Sequence, residues 1–254
     1  MNILVSSKIY SKFFNDILLV QDADINIYTH NIENQLYRLY SKIKPKFLFV
    51  NIFELNEEIN QFALEYEHEC VVFCYCPDQN YSNHNFNINT QTNIVYLCYT
   101  DNAIPERRCL TIPKNIVNKP YLSNLMTASK ENNIICFMDT INETYKQNIV
   151  SLLYPNNKDL RIRLFNDIKL KHPQNLGFAY HQDKLQLLSK NKYVLCNHGF
   201  DYYYESIFLG CKPIHIEKMQ DNLVNLVNII DAEEPFDLSN VHDFTIFFKE
   251  MVLK

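Results

Sequence analysis

Short apolar runs alternate with amphipathic stretches along nearly the whole chain. Runs of strand length fall at residues 3–6, 25–29, 47–51, 71–75 and 94–98, and the spacing between them predicts helices over 8–20, 32–43 and 54–66. The last of these, FELNEEINQFALEYE, puts Leu55, Ile59, Phe62 and Tyr66 on one face. Alternation of this kind argues a parallel sheet with helices on both sides. The stretch QNYSNHNFNINTQTN (79–93) is polar, Asn-rich and without period, and reads as a surface loop placed where the lip of a cleft would be. A second alternation follows IPKNIVNKP (112–120): strand 134–138, helix 143–153 and strand 160–165. The pattern predicts an α/β chain of two Rossmann-like halves joined near 113–120.

The densest pattern lies at 175–216, NLGFAYHQDKLQLLSKNKYVLCNHGFDYYYESIFLGCKPIHI. Leu185 and Leu188 mark a helix over 181–190, and residues 193–196 make a strand. Asn197-His198-Gly199 then breaks the chain, and Asp201 is placed to cap a helix ending at Gly210, with Pro213 beyond it and a strand at 214–216. Two strands joined by one helix form a βαβ unit, and in open α/β sheets ligands bind at the C-terminal ends of the strands. Unpaired N–H groups at a helix start suit a pyrophosphate, and Gly199 would let the backbone approach it. Glu205 follows Asp201 by four residues, one turn on, where a carboxylate can accept both hydroxyls of a ribose. Tyr202, Tyr203 and Tyr204 add flat faces and phenolic hydroxyls. The competing structural reading is an ordinary half-buried helix capped by Asp201.

Composition narrows the classes. A chain of 254 residues has ample length for a core, and 47% apolar with 21% charged residues is ordinary for a globular protein. A net charge of −5 argues against binding along nucleic acid, which needs a basic face. The eight cysteines lie mostly in apolar runs without CxxC pairs, which predicts reduced, buried thiols and a cytoplasmic protein. Cys74-Tyr75-Cys76 has the wrong spacing for a zinc knuckle, and His172, His181 and His215 lack metal-cluster spacing, so no metal site is expected. The opening NILVSSK reads as a strand with a polar exit rather than a signal segment, and no apolar stretch reaches membrane-spanning length.

The run 189–214, with its strand, His-Gly turn, Glu-bearing helix and Gly-Cys-x-Pro exit, resembles the donor-binding half of GT-B-type glycosyltransferases, and most nearly the exostosin-like branch. The preceding NLGFAYHQDKLQLLSK is similar to the segment that flanks the nucleotide base in many GT-B enzymes. One departure is plain: exostosin-like proteins place a basic residue shortly before the Glu, where this chain has Tyr202–Tyr204. The resemblance implies two Rossmann-like halves facing a cleft, an acceptor side over 1–115 and a nucleotide-sugar side over 116–254, with the last helix (242–252) packing back on the first half. It implies a donor site of Asn197, His198, Gly199, Asp201, Tyr202 and Glu205, with Thr140 near phosphate and Phe178 or Tyr180 stacking on the base. The phosphate grip would come from backbone and helix dipole or from a lysine elsewhere.

The expected activity is transfer of a sugar from a nucleotide-diphosphate sugar to a glycan or other hydroxyl acceptor, with no cofactor required. An inverting enzyme needs a base for the acceptor hydroxyl. Asp101 and Asp78 leave apolar strands at the expected edge and lead the candidates, followed by His30, with Ser6 and Ser7 also placed there. Two alternatives stay open. One is a noncatalytic nucleotide- or carbohydrate-binding relative, favoured by the missing basic residue. The other is a GT-A transferase holding a divalent metal through Asp22-Ala23-Asp24. Placement opposes the latter, because a whole nucleotide-binding half precedes that motif in GT-A enzymes and only about twenty residues do so here.

Overall fold

The computed structural model describes residues 1–9, 11–76, 93–99, 108–152, 161–166, 176–197, 200–216, 238 and 241–253. The apolar runs of the first half become a parallel sheet of β1 (Asn2–Ser6), β2 (Asn26–His30), β3 (Phe47–Asn51), β4 (Val71–Tyr75), β5 (Val95–Cys98) and β6 (Cys109–Thr111). Their order is β2-β1-β3-β4-β5-β6, and each neighbouring pair is parallel. Alternate residues of each strand go to opposite faces. Leu4, Leu48, Val50, Val72 and Tyr96 face α2 (Leu36–Ile43) and α3 (Glu57–Glu65) in one core layer. Ile3, Val5, Phe49, Phe73 and Leu97 face the other, which holds Phe13, Phe14 and Ile17 of α1 (Lys12–Leu18). The C-terminal helix, Phe244–Leu253, belongs to this same layer through Phe244 and Phe248, both fully buried. Phe244 meets Phe13 edge-on with ring centroids 5.4 Å apart.

Asparagine and serine trim the helices relative to the sequence pattern. Ser11 accepts from Phe14 N and starts α1 there. Asn31 accepts from Glu33 N at 3.1 Å and Asn34 takes φ +57°, so a turn occupies the positions before α2. Asn51 closes a single 3-10 turn at Ile52–Glu54, and Asn56 then caps α3 by accepting from Ile59 N at 2.9 Å.

The chain divides into two compact units, Met1–Ile116 with Phe244–Lys254, and Val117–Asp243. The short strand β7 (Ile116–Val117) lies at the first crossing. In the second unit β8 (Glu131–Phe137), β9 (Arg161–Phe165), β10 (Asn191–Cys196) and β11 (Lys212–His215) form a parallel sheet in the order β11-β10-β8-β9. Its described helices are α4 (Lys119–Leu125), α5 (Glu143–Leu152), α6 (His181–Lys190) and α7 (Tyr203–Phe208). Helix α4 was absent from the pattern reading, though Asn118 capping Tyr121 N with Pro120 just inside is a helix-start signal.

Two expectations are corrected. Strand β11 begins at Lys212 and includes Pro213, which a central strand would reject but this edge strand tolerates. Asp201 does not cap α7: the N-cap is Tyr202, which makes no side-chain cap bond, and the helix spans only Tyr203–Phe208. Burial of Phe200 and Tyr202 on either side turns Asp201 outward, and backbone bonds Phe200 N to Asn197 O (3.2 Å) and Tyr203 N to Phe200 O (3.1 Å) carry the turn. Among the described residues no helix is long and apolar enough to cross a membrane.

Candidate functional site

In the second unit the strand order reverses between β8 and β10, and in open α/β sheets ligands bind at the C-terminal ends of the strands at such a point. Past β8 the chain makes a single turn, Met138–Thr140, with Thr140 Oγ1 donating to Phe137 O at 2.8 Å. That hydroxyl proton is committed, so Thr140 offers lone pairs rather than a donor at the place expected for phosphate.

The neighbouring Asp139 is bound by a cation the sequence reading missed. Lys184 Nζ donates to Asp139 Oδ2 at 2.7 Å, with side chains 7% and 44% exposed respectively. The ammonium also lies 5.3 Å from the ring centroids of both Phe137 and Tyr202, a cation–π arrangement on two faces. An ammonium carries three donors, and the bond to Asp139 is the only one it makes among the described residues. One turn N-terminal on α6, His181 Nδ1 lies 3.1 Å from Tyr202 Oη. The signal for Lys184 was present: it shares the helix face of Leu185 and Leu188, where a charge is out of place.

The segment before α6 is held from β9. Asn166 takes φ +63° and pairs both backbone groups of Ala179, donating to its O at 3.0 Å and accepting from its N at 2.6 Å. Ala179 is thereby buried, while Phe178 and Tyr180 on either side are 63% and 76% exposed. Asp183 Oδ2 fixes the end of the segment by accepting from Tyr180 N at 3.0 Å. Both rings proposed to stack on a base are therefore presented to solvent on a braced strand-like stretch.

The remaining donor-site expectations are unevenly placed. Asn197, at the exit of β10, is buried, and Glu205 in the first turn of α7 is 2% exposed. Asp201 is exposed and Tyr202 is buried against Phe137 and Phe200. His198 and Gly199 lie outside the described residues.

In the first unit the order reverses between β1 and β3. Ser6, at the end of β1, is 1% exposed and donates to Glu54 Oε1 at 2.5 Å. The other carboxylate oxygen accepts from Asn51 N at 3.0 Å, and Asn51 Oδ1 accepts from Phe53 N at 3.2 Å. Lys8 pairs with Glu33; the bond raises the lysine above its ordinary range and holds the Glu33 carboxyl below its own. These groups border a cavity of about 380 Å³ lined by Lys8, Glu33, Asn51, Phe53, Glu54 and Glu58 among others. The pattern reading used Glu54 only as a helix start and so missed it. Ser7 N donates to His30 O at 2.8 Å, and the exposed His30 side chain is not part of the cavity lining. Asp78 and Asp101 lie outside the described residues, as does almost all of the 79–93 stretch.

The Asp22-Ala23-Asp24 pair sits before β2, at the N-terminal edge of the sheet, away from Ser6 and Asn51. Asp22 Oδ2 bonds Lys249 Nζ of the C-terminal helix at 2.8 Å, and Oδ1 accepts from Asp24 N at 3.0 Å. The Lys249 ammonium, helped by that backbone bond, holds the Asp22 carboxyl below its usual range. Among the described residues, no group of three or more His, Cys, Asp or Glu side chains could hold a metal. All eight cysteines are free, and burial pushes the Cys70 and Cys211 thiols up to about 12.

No protein-family model matches the chain, and no curated protein matches it. Solved structures do. A Listeria monocytogenes protein described as a UDP-N-acetylglucosamine 2-epimerase aligns with TM-score 0.57 at 7% identity, over 99% of this chain and 94% of its own. The UDP-GlcNAc 2-epimerase of Methanocaldococcus jannaschii aligns with TM-score 0.53 at 9% identity, over 100% and 99%. A spinosyn rhamnosyltransferase complexed with thymidine diphosphate gives TM-score 0.45 at 12% identity, over 100% and 92%. At such identities the epimerases share the fold with this chain, parallel α/β units of the GT-B type.

Proposed function

We propose that this protein is a glycosyltransferase that moves a sugar from a nucleotide-diphosphate sugar to a glycan or other hydroxyl acceptor. The donor would sit on the Val117–Asp243 unit and the acceptor on the Met1–Ile116 unit. The observation that carries the reading is the β8/β10 edge, where Lys184, with one described hydrogen bond, is buried between two aromatic faces. Buried cations are costly unless paired, and a ligand diphosphate would use the donors Asp139 leaves over. Lys184 thus takes the part of the basic residue absent before Glu205, and α7, at six residues, contributes few aligned peptide dipoles. Phe178 or Tyr180 would stack on the base, and Glu205 would accept the ribose hydroxyls. The Glu-bearing helix with its Gly210-Cys211-Lys212-Pro213 exit supports the exostosin-like branch. Asp101 and Asp78, then His30, are the proposed bases for the acceptor hydroxyl.

Burial of Glu205 favours a second reading, a noncatalytic nucleotide- or carbohydrate-binding relative in which that carboxylate is structural. A thermal-shift screen with UDP, GDP, CMP, TDP and their sugars, followed by product analysis with hydroxyl acceptors, separates the two. Stabilisation by one nucleotide class plus acceptor-dependent product supports transfer. Binding without turnover supports the second reading. Isomerisation of the donor sugar without an acceptor overturns transfer in favour of an epimerase.

A further inference from the structure

We infer that the cavity at the β1/β3 edge of the first unit binds a neutral or amine-bearing glycoside and rejects phosphorylated or carboxylated sugars. Its place is the crevice at the C-terminal ends of strands where the sheet order reverses. Its volume of about 380 Å³ falls within the range of small-molecule pockets, roughly 300–1,000 Å³. The lining divides by chemistry. Ile32 and Ile59, each at most 3% exposed, join Leu55 as the apolar part. Asn51, Asn56, Glu54 and Glu58 supply the acceptors and amides that sugar hydroxyls need.

Phe53, 65% exposed, brings an aromatic ring to the lining, the kind of surface on which the C–H side of a sugar packs. Its backbone is held, because Asn51 accepts from its N–H and Glu54 ties the same turn to Ser6. Charge sets the selectivity. Among the described residues Lys8 is the one cation in the lining; it bonds Glu33 and also feels the charge of Glu54, so three carboxylates, Glu33, Glu54 and Glu58, face one ammonium. A second anion brought among them would be repelled, while an ammonium would be welcomed. Binding stands on the cavity alone; calling this ligand the acceptor rests on the transferase reading.

The test is saturation-transfer NMR on the full chain, with methyl glycosides of glucose, galactose and mannose, the methyl glycoside of glucosamine, glucuronic acid and glucose 6-phosphate as probes. Saturable transfer to at least one neutral or amine-bearing probe is expected, with the acidic probes at least tenfold weaker. Phe53→Ala should weaken the binding probe at least tenfold, and Glu58→Gln should reduce the preference for the amine-bearing probe over its neutral counterpart at least threefold. Acidic probes binding as tightly as neutral ones, no probe binding, or both variants behaving as wild type would each overturn the inference. Circular dichroism on each variant and a nucleotide titration on the same samples keep the causes apart. Nucleotide binding without glycoside binding defeats this inference alone, and glycoside binding without nucleotide binding defeats the transferase reading alone.

Discussion

The two units share a wiring and differ at the place where that wiring opens. Each has a parallel sheet whose order reverses beside its first strand, β1 against β3 in one and β8 against β10 in the other. At the first reversal stand Glu54 and Glu58 around an open cavity; at the second stands Lys184, buried against aromatic rings. In the proposed reading, topology sets where a ligand would sit and the few side chains at the edge set the sign of charge it would carry. On the readings proposed above, the second edge would take an anion and the first a polyol.

The comparison breaks hardest at the base. If the first unit supplies it, Asp101→Asn or Asp78→Asn should lower transfer by roughly a hundred- to ten-thousand-fold while nucleotide affinity barely moves. Transfer rates and binding isotherms measured side by side decide it. Full turnover in both variants moves the role to His30 or to a retaining mechanism that needs no base.

Stability offers the next contrast. Phe248 is fully buried among Phe49 and Phe244 in the first unit, so Phe248→Ala should cost that unit about 3–5 kcal/mol. Urea unfolding followed by limited proteolysis should show fragments of the first unit appearing early while nucleotide binding by the second persists. Simultaneous loss of both would show that the units unfold as one.

Glu205 comes third. As a ribose acceptor it should be worth about 1.5–3 kcal/mol of nucleotide affinity, so Glu205→Ala should bind nucleotide some tenfold or more weakly with its fold intact. A variant that only unfolds, or that binds normally, assigns the carboxylate to the core where it is buried.

The smallest effect is expected at Asp22. Its carboxyl is held low in the folded state, so its contribution is complete above the unfolded value of about 4 and is lost as pH falls through the lower folded one. Asp22→Asn should lower Tm slightly near neutrality and not at all in strong acid, and EDTA should leave donor hydrolysis intact. Activity abolished by both EDTA and Asp22→Asn would return the metal-dependent GT-A reading.

What could be read in advance divides along the same physical line. Strands such as 47–51 and 71–75 match the observed β3 and β4, because burial on both faces demands continuous apolar runs. Helix 181–190 likewise matches α6, since its period records one buried face. The groups at the edges were less legible. Lys184 meets Asp139 across 45 residues and Ser6 meets Glu54 across 48, and no local spacing encodes such pairs. Asn166 bracing Ala179 needed a positive φ that sequence pattern only hints at. The capping role given to Asp201 failed because burial of its neighbours, rather than helix-cap preference, sets that turn.

The most direct test of an anion-seeking edge in the second unit is calorimetric titration of wild type and Lys184→Met with a nucleoside and its diphosphate, using the base found in the thermal-shift screen. Removing a charge-assisted contact should cost about 1.5–3 kcal/mol for the diphosphate, roughly a tenfold to hundredfold loss, while nucleoside affinity stays as it was. Equal losses for both ligands would make Lys184 a structural cation, and no loss for either would take the diphosphate away from this edge altogether.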